Sequence, residues 1–183
     1  MRLYELSIPN SQVEAIKILK KAGWTAAGSG MYARVYTKND NPYVLKIFQS
    51  RDKAYIDFIK MVLANPNIHF PKFRGRLIKI NNFYYAVRME KLKTTRSTKI
   101  SGIIDEYLRY GRDMLEYGEE RKKQIERYET YKNILKYFEK EPELKKACDI
   151  IISNLFPKYY NDVHDSNIMK RGSTIVLTDP VCI

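Results

Sequence analysis

The sequence predicts an α+β fold, with a small antiparallel sheet carrying one main helix in the N-terminal half and a mostly helical C-terminal half. Up to residue 90, short runs rich in β-branched and aromatic residues alternate with turn residues. Beyond residue 100, apolar residues recur at steps of three and four, the spacing of helices. The polar, basic segment 91–99 lies between these patterns. We therefore expect an N-terminal lobe over residues 1–90, a linker over 91–99 and a C-terminal lobe over 100–183.

Composition indicates a folded chain of 183 residues, 44% of them hydrophobic, with no apolar run long enough to span a membrane. The N-terminus MRLYELSIPN lacks the apolar stretch of a signal peptide, and two cysteines are too few for a disulfide framework. These features predict a soluble cytoplasmic protein. The net charge of +12 favours anionic partners such as nucleotides, acidic proteins or nucleic acid, unless the lysines merely solvate the surface.

The N-terminal elements follow in order. Residues 11–22 carry apolar side chains at steps of three and predict a helix ended by Gly23. The runs MYARVYT and YVLKIF flank turn residues 38–42 and predict a hairpin. Residues 51–64 predict a second helix, because apolar residues recur there at i, i+3, i+4 and i+7. Residues 76–80 and 83–89 predict a second hairpin around an Asn pair that suits a two-residue turn.

The C-terminal half predicts three helices and a short strand. Residues 103–117 and 120–139 carry apolar stripes, and Gly118 separates them. Pro142 stands where a first helical turn accepts proline, so a third helix should begin there. A polar loop over residues 160–167 precedes the β-like run 174–178.

The first motif is GSGMYARV over residues 28–35, which matches the pattern G-x-G-x-x-G-x-V with Ala33 at the third glycine. Glycines Gly28 and Gly30 would let the backbone approach phosphate oxygens without an obstructing Cβ. The alternative is an ordinary Gly-Ser-Gly turn.

The second motif is Lys46 within VLKIF, in the predicted strand after the glycine-containing loop. A lysine at this place can hold the α- and β-phosphates of a nucleotide. The alternative is that Lys46 lies on the solvent face of a half-buried strand.

The third motif is the loop NDVHDSNIM over residues 161–169. Asp162 and Asn167 are five residues apart, the spacing of the base and the metal-binding amide in H-R-D-L-x-x-x-N. His164 gives the form D-x-H-x-x-N, which is similar to small-molecule kinases. Asp179 follows the predicted strand, as a magnesium-binding aspartate would. The alternative is a polar connection between a helix and a strand.

Phosphoryl transfer requires a clamp on the phosphates, a metal ion that spreads their charge and a carboxylate that orients the attacking hydroxyl. The three motifs and Asp179 supply these parts in kinase order. The sequence therefore predicts a protein-kinase-like, two-lobed phosphotransferase that uses ATP and Mg²⁺.

Residues 22–90 and 155–182 resemble the early serine/threonine protein kinases of T-seven-type bacteriophages, above all in the D-x-H-x-x-N-I-M loop and in Asp179-Pro180-Val181. The resemblance implies a kinase acting in the host cytoplasm on host proteins and on itself, with Asp162 as base and Asn167 and Asp179 as Mg²⁺ ligands. The residues expected to bind the nucleotide are Gly28, Ser29, Gly30, Ala33, Val35, Lys46, Met89 and Glu90.

The sequence also departs from the kinase pattern. Tyr160-Asn161 replaces the usual His-Arg, and residues 51–64 contain no glutamate to pair with Lys46. Asp57 is expected to face water, opposite the apolar stripe. The chain ends four residues after Asp179, which predicts a kinase that is very small, completed by a partner or inactive. A non-catalytic pseudokinase and a small-molecule kinase therefore stay open, whereas no nucleic-acid motif appears.

Overall fold

The computed structural model describes residues 12–95, 97–156 and 158–183, so the N-terminal segment MRLYELSIPN lies outside the described residues. Helices and strands alternate in the first half of the chain and helices dominate the second. The helices are α1 (Gln12–Lys21), α2 (Lys53–Ala64), α3 (Thr98–Ile125), α4 (Glu129–Glu139) and α5 (Pro142–Leu155). The strands are β1 (Thr25–Ser29), β2 (Ala33–Thr37), β3 (Tyr43–Gln49), β4 (Phe73–Lys79), β5 (Tyr84–Glu90), β6 (Lys93–Thr94), β7 (Tyr160–Asn161), β8 (Ile168–Arg171), β9 (Thr174–Leu177) and β10 (Val181–Cys182).

The chain divides into two compact units that interleave in sequence. The first contains the described residues up to Lys53 together with Lys72–Lys91, and the second contains Ala54–Pro71 and Leu92–Ile183. Helix α2, expected within the N-terminal lobe, thus belongs to the second unit after its first residue.

The first unit is an antiparallel five-stranded sheet in the order β1-β2-β3-β5-β4. One sheet face packs on α1 through a buried cluster of apolar side chains. Its members are Leu19, Trp24, Tyr36, Leu45, Ile47, Ile80 and Ala86. This burial stabilises the sheet because it removes large apolar areas from water.

The second unit is mostly helical. Phe58 of α2 packs edge-on against Phe70, at 6.1 Å between ring centroids. Tyr107 of α3 donates a hydrogen bond to Asp149 of α5 at 2.7 Å and packs against Phe138 of α4. Two small antiparallel sheets, β10-β7 and β6-β8-β9, carry the polar loop between α5 and β8.

The predicted α+β class, with an antiparallel N-terminal sheet and a helical C-terminal half, is confirmed. Gly23 ends α1 with a positive φ of 81°, and Pro142 opens α5. Gly118 breaks helical geometry at φ 71° and ψ −160°, as expected. These positions agree because each depends on a local property of glycine or proline.

The segment 91–99, predicted as the linker, contains β6 and the start of α3. Two other details were predicted wrongly. Helix geometry resumes after Gly118 and ends near Ile125, so the next helix begins at Glu129 rather than Glu120. The second hairpin turn is longer than the Asn pair, since Asn81 Oδ1 accepts hydrogen bonds from the N–H groups of Phe83 and Tyr84. Within the described residues, no helix has the length and apolar character needed to cross a bilayer.

Candidate functional site

In the first unit, Lys46 lies at the centre of the sheet. It pairs with Val35 of β2 on one side and with Val87 of β5 on the other. Lys46 is only 7% exposed, so the alternative of a solvent-facing lysine is wrong. Both faces of β3 are covered, and a buried ammonium is costly unless polar or charged groups compensate it.

Strand register brings most of the predicted nucleotide-binding residues onto the face that carries Lys46. Gly28 pairs with Val35, and Val35 pairs with Lys46. Ala33 lies two residues before Val35, and Met89 lies two residues after Val87, so both share this face. The face opposite carries the α1 cluster.

Two predicted nucleotide-binding residues point the other way. Ser29 follows Gly28 directly on β1, and Glu90 follows Met89 on β5, so alternation turns both side chains to the opposite face. The Glu90 carboxylate accepts a hydrogen bond from the backbone N–H of Lys72 at 2.8 Å. A contact between Glu90 and a nucleotide would therefore have to come from its backbone.

The predicted glycine loop is the tip of the β1–β2 hairpin. Gly28 and Ser29 lie within β1 rather than in a loop, and the N–H of Gly30 closes the turn by donating to Ala33 O at 2.8 Å. A Cβ added at Gly28 or Gly30 would meet no atom within 4 Å, and neither glycine has a positive φ. The described residues therefore do not require glycine at these two positions.

In the second unit, pairing of β7 with β10 brings Asp162 and Asp179 together. Asn161 pairs with Val181, and the N–H of Asp162 donates to Pro180 O at 2.9 Å. Burial raises the pKa of Asp162, and the neighbouring Asp179 raises it further, while His164 and a hydrogen bond from Asn167 oppose the shift. The charge of Asp179 therefore disfavours ionisation of Asp162.

Asn167 is fixed against Asp162. Its Nδ2 donates to Asp162 O at 2.7 Å and to Asp162 Oδ2 at 3.2 Å. Thr178 donates to Asn167 O from its N–H at 2.9 Å and from its hydroxyl at 3.0 Å. Within the described residues the amide Oδ1 of Asn167 accepts no hydrogen bond, so it can serve as a metal ligand.

His164 bridges the two ends of the loop. Its Nε2 lies 3.0 Å from Asn167 Nδ2 and 3.8 Å from Asp162 Oδ1, and its Nδ1 lies 2.8 Å from Ser166 Oγ. The Nδ1 atom also accepts a hydrogen bond from the backbone N–H of Ser166 at 3.3 Å, so His164 caps the short helical turn Asp165–Asn167.

One face of α3 supports this loop through residues that the sequence did not single out. Ser101 donates to Asp165 Oδ1 at 2.6 Å, and Asn161 donates to the carboxylate of Asp105. Further along α3, the Arg112 guanidinium lies 5.0 Å from the Tyr160 ring centroid. The spacing of these three α3 residues, i, i+4 and i+11, places them on one face of the helix. This spacing is the sequence feature from which their shared role could have been predicted.

Helix α2 is also tied to the segment before the loop. Asp57 accepts hydrogen bonds from Lys158 at 2.5 Å and from the Tyr159 hydroxyl at 2.7 Å, so the expectation that it faces only water is wrong. Beyond α2, His69 Nδ1 lies 2.8 Å from Ile175 O, and Leu177 N–H donates to His69 O at 2.8 Å. These bonds hold the strand that leads to Asp179.

The ligand set fits Mg²⁺ bound together with a phosphate. Asp179 and Asn167 offer oxygen atoms, which Mg²⁺ prefers, and the negative charges of Asp179 and the neighbouring Asp162 favour a cation. Within the described residues no group of three or more His, Cys, Asp or Glu is arranged to hold a metal ion. Mg²⁺ is usually bound by one or two carboxylates plus substrate phosphates rather than by a protein cage.

Comparisons with known proteins gave structural matches alone. No family model and no curated protein matches the chain. The structure of the kinase PK-1 from Cydia pomonella granulovirus matches 93% of this chain and 58% of its own, with 13% identity and a TM-score of 0.43. The streptomycin–ATP ternary complex of APH(2″)-IIa matches 96% of this chain and 75% of its own, with 13% identity and a TM-score of 0.37. The chain thus spans little more than half the length of the first of these structures.

Proposed function

We propose that this protein is a phosphotransferase that moves the γ-phosphate of Mg-ATP to a hydroxyl group, and that it acts as a serine/threonine protein kinase. The observation that supports the proposal is the cluster of Asp162, Asn167 and Asp179. Pairing of β7 with β10 brings the segments of Asp162 and Asp179 together, and the Asn167 amide donates a hydrogen bond to Asp162. The charge of Asp179 also raises the pKa of Asp162. This combination of groups is the one that phosphoryl transfer requires.

Asp162 acts as the base that orients and deprotonates the attacking hydroxyl. Burial and the nearby Asp179 raise its pKa, so it accepts a proton more readily than an exposed aspartate does. The amide of Asn167 holds Asp162 Oδ2 at 3.2 Å, which fixes the carboxylate without blocking its other oxygen.

Asn167 and Asp179 would hold Mg²⁺, which when bound neutralises charge on the phosphates. Lys46 would hold the α- and β-phosphates, and the backbone around Gly28 and Gly30 would cover them. The burial of Lys46 supports this role, because a desolvated ammonium interacts more strongly with an anion than an exposed one does.

The resemblance of the D-x-H-x-x-N-I-M loop and of Asp179-Pro180-Val181 to phage kinases supports host proteins, and the kinase itself, as substrates. The host cytoplasm is then the place of action. The same resemblance to phage serine/threonine kinases leads us to infer that a Ser or Thr hydroxyl accepts the phosphate.

Two measurements test the proposal. Mg-ATP should raise the melting temperature of the full chain, because a ligand that binds the native state stabilises it. Lys46→Met and Asp179→Ala should each remove this rise if both residues act on the same nucleotide. Incubation with labelled ATP, Mg²⁺ and a cell lysate should label proteins, and the absence of label with either Mg²⁺ or Mn²⁺ would contradict an active kinase.

Two alternatives have support of their own. The net charge of +12 favours a pseudokinase that binds a host factor, and this alternative predicts an ATP-induced rise in melting temperature without transfer. His164 favours a small-molecule phosphotransferase, which would release labelled small products and leave proteins unlabelled.

A further inference from the structure

A polar cleft of about 210 Å³ opens on the sheet of the first unit. Two arginines, two aromatic rings and an amide line it. They are Trp24, Asn41, Tyr43, Arg74 and Arg88. Arg88 pairs with Leu45, the neighbour of Lys46, so alternation places the cleft on the sheet face opposite Lys46. The cleft is therefore separate from the candidate nucleotide-binding face.

Arg74 and Arg88 are directly opposed in the β4–β5 register. Cross-strand partners have Cβ atoms about 5 Å apart, and two like charges in this position destabilise a sheet. None of the five lining residues is acidic, and within the described part of the chain no carboxylate lies at ion-pair distance from either guanidinium. The carboxylate of Glu90 on the same face accepts instead from the Lys72 N–H at 2.8 Å.

Tyr43 and Asn41, the other polar residues that line the cleft, contact their neighbours in ways that bear on its donors. The Arg74 guanidinium lies 4.8 Å from the Tyr43 ring centroid, which restricts where it can point. Asn41 uses Oδ1 to accept from the Tyr43 N–H at 3.0 Å, so its Nδ2 stays a donor. Two guanidinium groups and an amide N–H group form a donor set that suits an anion.

We propose that this cleft binds a small phosphate monoester or inorganic phosphate between Arg74 and Arg88. Guanidinium groups bind phosphate oxygens in pairs of parallel hydrogen bonds, and a bound dianion would offset the repulsion between the two arginines. Ligand pockets for drug-sized molecules measure roughly 300–1,000 Å³. The smaller volume here fits a phosphoryl group with little attached to it. The proposal does not depend on phosphotransfer at Asp162.

The chain's single tryptophan, Trp24, lines the cleft and is a built-in reporter. The full chain is titrated with inorganic phosphate and with phosphoserine while chloride keeps ionic strength constant. We expect a saturable change in tryptophan fluorescence and a rise in melting temperature. A stronger response to phosphoserine identifies a phosphorylated side chain as the source of the ligand, and a stronger response to phosphate identifies the free ion.

Arg88→Gln and Arg74→Gln should each raise the Kd for phosphate, read from the fluorescence titration, roughly tenfold or more, the factor that corresponds to about 1.4 kcal/mol. Without phosphate, Arg88→Gln should raise the melting temperature because the like-charge pair is removed. Arg76→Gln is the matched control, since it makes the same charge change on the same strand outside the cleft, and it should keep the wild-type response. A fluorescence change that does not saturate with phosphate, or the same loss of phosphate affinity in all three variants, overturns the proposal.

Discussion

Under the proposed function, the tip of the β1–β2 hairpin and the loop Asp162–Asn167 serve the same reaction, yet they differ in how their residues are held by hydrogen bonds. The hairpin tip is closed by the backbone bond from Gly30 to Ala33, and Met31 at the tip is 83% exposed. In the loop, the side chains of Asp162, His164, Asp165, Ser166 and Asn167 all have hydrogen-bond or charge partners.

Because of this difference, substitutions at the two places report on different properties of the protein. A substitution in the loop changes hydrogen bonds of the native state, so its effects on activity and on structure are mixed. At Gly28 the protein itself requires no glycine, so an effect of substitution there on nucleotide affinity would report on the nucleotide. Four predictions follow this contrast.

The largest effect is expected at the loop. Asp162→Asn should lower phosphoryl transfer about 10²- to 10⁴-fold, because it removes the base but nearly keeps the shape of the side chain. Transfer is measured with labelled ATP, and the Mg-ATP-induced shift in melting temperature serves as the control for binding. Transfer within tenfold of wild type would exclude Asp162 as the base.

At the hairpin, Gly28→Ala should change the free energy of unfolding by no more than about 0.5 kcal/mol, since the new Cβ meets nothing. It should raise the Kd for ATP about tenfold, because the methyl group occupies space that phosphate oxygens would approach. Calorimetry measures both quantities. Gly102→Ala, another glycine with open space around its Cβ, is the control and should leave the Kd unchanged. Equal Kd values for Gly28→Ala and wild type would remove the hairpin from the nucleotide site.

A smaller effect, on stability, is expected for the hydrogen bonds that join Asp57 of α2 to the segment before the loop. Burial raises the pKa of Asp57, but hydrogen bonds from Lys158, Tyr159 and Lys60 outweigh it and lower the pKa from 3.8 to about 2. The carboxylate therefore stabilises the fold at neutral pH, and this contribution is lost as pH falls from about 4 to about 2.

Asp57→Asn should lower the free energy of unfolding at pH 7 by about 1 kcal/mol, a value reduced for partial exposure. Denaturant unfolding at several pH values measures this. Glu129→Gln removes a more exposed pair whose atoms are 4.0 Å apart and should have almost no effect. An Asp57 variant as stable as the Glu129 variant would show that α2 does not support the loop.

The smallest effect is expected at His69. Burial lowers its pKa below 6.5, although the hydrogen bond to Ile175 O opposes the shift. The folded state therefore favours neutral imidazole, and stability should decline as pH falls below about 6.5. His69→Gln should reduce this slope between pH 7.5 and 5.5, as measured by denaturant unfolding. An unchanged slope would assign the pH dependence to other groups.

Local patterns predicted much of the fold. The apolar spacing of α2, the turn residues before β3 and the special backbone of Gly118 and Pro142 can each be recognised within a few residues. Strand β1 was missed because TAAGS has little β propensity and forms only by pairing with β2. Strand β6 was missed for a similar reason, since its polar residues are ordered by β8.

The candidate site was predicted in part. The spacing of Asp162 and Asn167 can be read directly from the sequence, and their hydrogen bond agrees with it. The supports of the loop join residues far apart in the chain, 56 positions for Asp105 with Asn161 and 101 for Asp57 with Lys158. Periodicity describes one element at a time, so such pairs become evident only when elements pack.

The interleaving of the two units has a consequence for synthesis of the chain. Every strand of the five-stranded sheet has been made once the ribosome passes Glu90, whereas α2 packs within a unit that runs to the C-terminus. The Asp57 carboxylate of α2 therefore waits for its partner Lys158, 101 positions later in the chain, a delay of seconds at common elongation rates. A fragment cut after Lys91 would keep every strand of the five-stranded sheet and lose this partner of Asp57.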